Sequence, residues 1–546
     1  MTKINIKQIL VLLCLSYLFF ILGNGIVSLT NPDEVFYAQT AKEMARLNSW
    51  MTPYLFDSPQ FEKPILLFWL LRIAFIIFGI SSFSARLFPA LFASLGVIAV
   101  YLLSLIGFRD EKKAFISSLI LMSSGIYIGL ARTVFTDMIF SIFILFSLLS
   151  FYWGYSLKKR KGPGIFLFFI FAGFAVLTKG PLGFIIPFLI ISIFLLIKKD
   201  LRYLFSKFFI WGILVFILIS FPWYILMFRK YGHPFTHEFF YNDHIRRLLE
   251  AEHLTNDTWY FYPISMILGM FPWSIYVIFS LFYLLKKLRG GARPIHIFLA
   301  CWVAIVFLIF QPAHSKLASY IFPLFPALAI LAADFLFSER NTRSLFYVSL
   351  ASAIILVIIS IGLGIASTVF SSLILKYLSS KITVYILFSF SSILAVSFFT
   401  LVIRRNFLKS IYVLASFFLV FFCIIPLIEK DIEPFLSSKD PCAYLLDNYK
   451  VDNTILCSKF FARGVRYYTD KEIAIMAPYG KDFFSPHPVT FLGSDELVNE
   501  FLLKQPVTYC VFKKSSIEDM ERQKDFKIEL LKVIGNEYIL KVVPRD

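Results

Sequence analysis

The chain has 546 residues, 58% of them hydrophobic and 16% charged, with a mean hydropathy of +0.76. Soluble domains carry about 25% charged residues, so an ordinary soluble enzyme and a disordered chain are both excluded. The 53 Lys+Arg against 35 Asp+Glu give a net charge of +18, but the cations bunch in short connections between apolar runs. That pattern fixes membrane orientation and leaves no basic surface for nucleic acid.

Residues 8–29 follow Lys3 and Lys7 and read as a retained signal anchor, with no small-residue cleavage site behind them. Segment 30–63 then falls on the outer face. The run 64–80, with Trp69 and Arg72, is short and amphipathic and is assigned to the interface, which keeps the cluster from Arg109 to Lys113 cytoplasmic. Further spans are expected at 85–107, 112–131, 136–156, 164–179, 181–197, 206–228, 259–286, 294–312, 317–336, 344–372, 382–404 and 409–427. The inside connections are all basic, as at Lys158-Lys159-Arg160-Lys161 and Arg404-Arg405. About 13 transmembrane helices then place 30–63, 132–136, 229–258, 313–316 and the C-terminal part in one compartment.

After Glu429 polar residues rise, and helical stretches near 438–449 and 494–504 alternate with strand-like runs such as 454–457 and 507–510. The expected organisation is a polytopic α-helical membrane domain over 1–430, its first loop (30–84) carrying interfacial helices, and a small soluble α/β domain over 431–546. The six cysteines show no zinc-ligand spacing, and a disulfide in the C-terminal domain is left open.

The richest outer segment runs from Asn31-Pro32-Asp33-Glu34 through Tyr37 to Phe61-Glu62-Lys63-Pro64. Its structural reading is a helix start, with Asn31 as N-cap, Pro32 at the first helical position and two acids at the positive end of the dipole. Its functional reading comes from company. The same face receives Asp137, Lys179, His244, Arg247, His314, Lys316 and Tyr320, and ionisable groups at membrane entrances mark sites because they are costly. A lipid-linked sugar must shed phosphate as its leaving group, and Lys63, Arg247 and Lys316 are the cations to hold it. Asp33 is the carboxylate that orients or deprotonates the acceptor. Glu62 and His244 have donor types that suit a divalent metal such as zinc, or form a hydrogen-bonded pair. Tyr37 and Tyr320 serve either as cleft-lining groups or as interfacial aromatics.

In order, Pro32-Asp33-Glu34 with Tyr37-Ala38, Phe61-Glu62-Lys63-Pro64, Ala131 to Asp137, Thr178-Lys179-Gly180-Pro181, Phe221-Pro222-Trp223-Tyr224, His244 with Arg247, and Ser315-Lys316-Leu317 to Pro323 resemble the bacterial lipid A aminoarabinose transferases, within the protein O-mannosyltransferase superfamily. The resemblance implies a GT-C type glycosyltransferase of the bacterial inner membrane with a periplasmic site. It implies an undecaprenyl-phosphate-linked sugar as donor, lipid A or another envelope acceptor, inverting transfer, and no nucleotide cofactor. By similarity Asp33 and Lys63 are catalytic. Glu34, Tyr37, Asp137, Arg247, Lys316 and Tyr320 bind donor phosphate or substrate, and Glu62 with His244 match a type of metal site. Family members commonly carry Arg before the Tyr of the first motif, whereas this chain has Phe36, which removes a charge-assisted contact and leaves sugar and acceptor open. A polyprenyl-phosphate-hexose protein O-mannosyltransferase is the second expectation. A lipid or sugar transporter is the third, although the repeat symmetry usual in transporters is not evident.

Overall fold

Long apolar runs form helices because every backbone group must be satisfied internally in lipid. The computed structural model describes residues 4–204, 206–250, 256–339, 342–369, 382–478 and 489–545. Among these, seven helices are long and apolar enough to cross a membrane: Ser82–Phe108, Thr136–Ser156, Lys161–Lys179, Lys207–Tyr231, Ala318–Ser338, Arg343–Ala366 and Ile382–Ile403. The protein is thus a multi-pass membrane protein. Ala318–Ser338 is 89% buried within the bundle and Lys207–Tyr231 17%, so the first is a core helix and the second faces lipid.

Several expected spans differ in form. Residues 112–131 are two helices, Glu111–Met122 and Gly125–Ala131, bent by 66°, and 259–286 are Phe261–Gly269 and Ser274–Arg289, bent by 115°. The run 409–427 is interrupted between Phe407–Ala415 and Leu419–Leu436. The segment given to the interface is the helix Leu66–Phe78, 13 residues and therefore about 20 Å long, short of a 30 Å hydrocarbon core. Trp69 donates to the Trp50 carbonyl, and Arg72 donates to the Ser49 carbonyl and stacks 3.9 Å over the Trp50 ring, which ties this helix to the first loop.

That loop also contains the helix Asp33–Arg46 and a hairpin of β1 (Tyr54–Leu55) and β2 (Ser58–Pro59). Glu43 holds the two together, accepting from the backbone N–H of Phe56 (3.1 Å) and Asp57 (2.8 Å). The helix starts one residue later than the capping pattern suggested, with Pro32 as N-cap. Asn31 is drawn elsewhere: its side-chain amide donates to Ser438 Oγ at 2.7 Å.

The C-terminal part is a six-stranded sheet flanked by helices. The strands are β3 (Ile455–Ser458), β4 (Ile473–Met476), β5 (Thr490–Leu492), β6 (Thr508–Phe512), β7 (Phe526–Ile534) and β8 (Glu537–Pro544), in the order β5-β4-β3-β6-β8-β7. β5, β4, β3 and β6 pair in parallel, and β8 pairs antiparallel with both β6 and β7. β3 and β4 are buried along their whole length because both faces are covered. Cys442, Cys457 and Cys510 are buried free thiols, so the disulfide left open above is not formed among them.

This sheet domain sits on the first loop. Lys42 donates to the Tyr467 carbonyl (3.0 Å) and pairs with Asp470 (2.8 Å), and Arg466 pairs with Asp57 and lies 3.6 Å from Glu43. At Gly464 any Cβ would stand 2.0 Å from Asn31 Oδ1, so the close approach of helix Ala462–Thr469 to the loop requires glycine there. Ser438 accepts from Asn31 and donates to Glu537 Oε1 at 2.8 Å, joining the loop to the first residue of β8.

Burial pushes the Glu537 carboxyl up to about 8, against the hydrogen bond from Ser438. The folded state therefore keeps a proton that the unfolded chain releases above its ordinary pKa of about 4.3, so stability is full below that pH, falls on rising toward 8 and is flat beyond. The slope is at most about 1.4 kcal/mol per pH unit. Hydrogen exchange of the β8 amides in the full-length protein, corrected for intrinsic rates, should show protection decreasing from about pH 5 to 8, and Glu537→Gln should flatten that dependence. A wild-type profile without slope would contradict the assignment.

Candidate active site

The first loop, the entrances of three transmembrane helices and the sheet domain enclose a cavity of about 560 Å³. Its polar lining is Asp33, Tyr37, Glu62, Lys63, Thr136, Asp137, Lys179, Asp243, Arg247, Ser315, Ser319, Tyr320 and Arg463, and Phe36, Phe135, Phe140, Leu182, Ile309 and Phe310 supply much of its apolar wall. Four carboxylates therefore face four cations, so an incoming phosphate meets cations already oriented by carboxylates rather than a bare positive pocket.

Lys63 follows the β1–β2 hairpin, and its ammonium donates to both oxygens of Asp243 at 2.8 Å and to the Glu62 carbonyl at 3.1 Å. Both partners are mostly withdrawn from water, with side chains 11% and 9% exposed. Asp243 belongs to the π-helical turn His237–Arg246, a winding frequent at functional sites. Arg247 is one turn on, its Nε 3.3 Å from Asp243 and its Nη1 donating to Tyr320 Oη at 3.2 Å. The Ser315 N–H donates to the Arg247 carbonyl at 3.1 Å, fixing the two loops to each other.

Asp137 opens helix Thr136–Ser156, and Lys179 closes Lys161–Lys179. Gly180, with φ +98°, lets the chain turn at that point and leaves the Lys179 ammonium 2.5 Å from Asp137 and 4.8 Å from the Tyr320 ring centroid. Tyr37 is buried between these groups. Burial first, and then the negative charges of Asp137 and Asp33, raise its hydroxyl well above the ordinary range, so it acts as a hydrogen-bond donor and not as a base.

Asp33 is in the first turn of its helix, with a side chain 59% exposed and Arg463 Nη1 3.8 Å away. Seven of the ten residues singled out from the sequence thus line one cavity: Asp33, Tyr37, Glu62, Lys63, Asp137, Arg247 and Tyr320. Two are placed elsewhere. Glu34 is fully buried against Arg86, which donates to both its oxygens at 2.8 and 2.6 Å, and it also accepts from Thr30 N and Val134 N. Its lone pairs are used in anchoring the loop, so it is not a substrate contact. Lys316 is held at 2.9 Å by Asp257, which also pairs with His314, and it lies outside the cavity lining; the two partners hold the Asp257 carboxyl below its usual range. The His244 side chain falls outside the described residues. Among the described residues no group of three or more His, Cys, Asp or Glu is arranged to hold a metal ion. Glu62 by itself supplies too few donors for a zinc site.

Two charged residues of the lining, Asp243 and Arg463, have no place in the sequence reading, and Lys179 appears there only among the ionisable groups of the same face. Asp243 had a signal in its i, i+4 spacing to Arg247. Arg463 had none, because it reaches the cavity only through the docking of the sheet domain.

The sequence pattern of the family described as dolichyl-phosphate-mannose-protein mannosyltransferase matches residues 5–237. An uncharacterised Aquifex aeolicus protein is 30% identical over 362 residues, covering 65% of this chain and 70% of its own. The undecaprenyl phosphate-alpha-4-amino-4-deoxy-L-arabinose arabinosyl transferase 2 of Proteus mirabilis is 31% identical over 316 residues, covering 56% of this chain and 55% of its own length. The crystal structure of ArnT from Cupriavidus metallidurans bound to undecaprenyl phosphate superposes with a TM-score of 0.78 over 98% of both chains, at 19% identity. The fold is of the GT-C type seen in ArnT. The chain is thus similar to the protein mannosyltransferase pattern over residues 5–237, to an arabinosyl transferase over about half of that protein's length, and to ArnT in fold.

Proposed function

We propose that the protein transfers a sugar, an amino sugar such as 4-amino-4-deoxy-L-arabinose, from undecaprenyl phosphate to a phosphate of lipid A, with inversion, at the periplasmic face of the bacterial inner membrane. The observation that carries this reading is the single cavity in which Asp33, Lys63, Asp137 and Arg247 meet at the helix ends. In this reading Lys63 and Arg247 hold the donor phosphate and stabilise the charge that builds on it as the glycosidic bond breaks. Lys179, fixed by Asp137, adds to that field, and the phenylalanine wall admits the isoprenoid. Asp33 orients the acceptor oxygen for attack on the opposite face of the anomeric carbon. A phosphate acceptor is already ionised, so positioning is the main task of Asp33. The likeness to the Proteus mirabilis transferase supports the donor, and the basic inner connections support the orientation.

Mass spectrometry of lipid A from cells with and without the chain tests the reading directly: a sugar mass added on phosphate is expected, and unchanged lipid A overturns it. A protein hydroxyl acceptor is the second reading, favoured by the mannosyltransferase match over residues 5–237. The two separate on Asp33→Asn, which should slow transfer to a phosphate by about tenfold. A hydroxyl, which needs a general base, should lose about 10²–10⁴-fold.

A further inference from the structure

We infer that Arg463, contributed by the C-terminal domain, binds the phosphate of the acceptor beside Asp33 and so determines acceptor specificity; this rests on the phosphate-acceptor reading above. Arg463 lines the cavity, and its side chain is 12% exposed. Its guanidinium lies 4.7 Å from the Phe36 ring centroid, and its Nη1 is 3.8 Å from Asp33 Oδ1, within ion-pair range. The contact with Phe36 positions a planar guanidinium, the group whose N–H fork recognises oxyanions in pairs.

The chemistry of the acceptor requires a cation at this place. An anionic nucleophile brought to Asp33 is repelled by the carboxylate that is to orient it, whereas a neutral hydroxyl meets no such opposition. Lys63 and Arg247 are gathered on Asp243, and Lys179 is held by Asp137, all from the membrane helices and their loops. Arg463 comes from outside the bundle, on a helix set by Gly464 against Asn31, by Arg466 against Glu43 and Asp57, and by the Lys42 contacts. A rigidly delivered guanidinium beside the exposed carboxylate compensates an incoming phosphate there and offers nothing comparable to a hydroxyl.

The test is equilibrium binding to the purified full-length protein in nanodiscs with three probes: undecaprenyl phosphate, a bisphosphorylated disaccharide lipid (lipid A), and its dephosphorylated counterpart. Arg463→Ala should weaken the phosphorylated glycolipid by about tenfold or more, the loss expected for a hydrogen bond to a charged group. Undecaprenyl phosphate should bind as to wild type, and the dephosphorylated lipid should bind both proteins equally. Arg463→Lys, which keeps the charge without the planar fork, should fall between; it carries the comparison if the alanine variant melts early. Unchanged binding of the phosphorylated lipid, an equal loss for undecaprenyl phosphate, or an equal loss for the dephosphorylated lipid would each overturn the inference. Failure of wild type to bind undecaprenyl phosphate counts against the proposed donor instead, and is read in its own arm.

Discussion

The Lys63→Ala variant is expected to insert in the membrane, with Arg247 still beside Asp243, and to lose sugar transfer by about 10²–10³-fold, the effect of removing one preorganised donor from a developing anion. The ammonium is fixed at three points, on both oxygens of Asp243 and on the Glu62 carbonyl, so it has little to reorganise when charge moves onto the leaving phosphate. Its removal acts twice. The phosphate loses a partner, and Asp243 is left in a mostly desolvated position with less compensation, which repels the donor. Lys63→Arg keeps the charge on a different geometry and should recover part of the rate. Initial rates on a lipid-linked sugar with purified protein decide it. A fully active alanine variant would remove Lys63 from the chemistry.

Arg86→Ala should instead damage the fold, by about 3–5 kcal/mol, because breaking a buried ion pair strands the remaining charge. Arg86 clamps both oxygens of Glu34 and donates to the carbonyls of Asn24, Val27 and Ser28, so one side chain ties the segment after the first helix to the start of the first loop. Glu34 is fully buried and has no water to turn to. Glu34→Gln keeps the shape but leaves the buried Arg86 guanidinium without its counter-ion, so it should also destabilise. Thermal unfolding in detergent reports both, and a wild-type melting temperature for Arg86→Ala would refute this reading of the pair. The contrast with Lys63 matters because Asp33 and Glu34 are adjacent in sequence, yet one opens to the cavity and the other is sealed beneath it.

That contrast also shows what could be read without coordinates. Hydropathy and the placement of cations were enough for the membrane class, because lipid imposes one rule on every span. They could not show that residues 259–286 bend by 115°. Ionisable groups on one face were enough to collect Asp33, Lys63, Asp137 and Arg247. Which charged groups are engaged elsewhere was not legible, since Glu34 and Lys316 look as available as their neighbours until Arg86 and Asp257 are seen beside them. Contributions from far along the chain were invisible for the same reason: Arg463 has no local pattern, and Asn31 looks like a helix cap until Ser438 is seen to take its amide.

The contact of Asn31 with Ser438 and Gly464 has a consequence for biogenesis. The membrane helices and the first loop leave the ribosome well before β8, so a nascent chain holds Lys63 and Asp33 while the rim that carries Arg463 is still missing. Complete enclosure of the cavity waits for the last strand to supply Glu537 to Ser438. A chain stalled or clipped short of that strand would stay in the bilayer as an open and unfinished vessel.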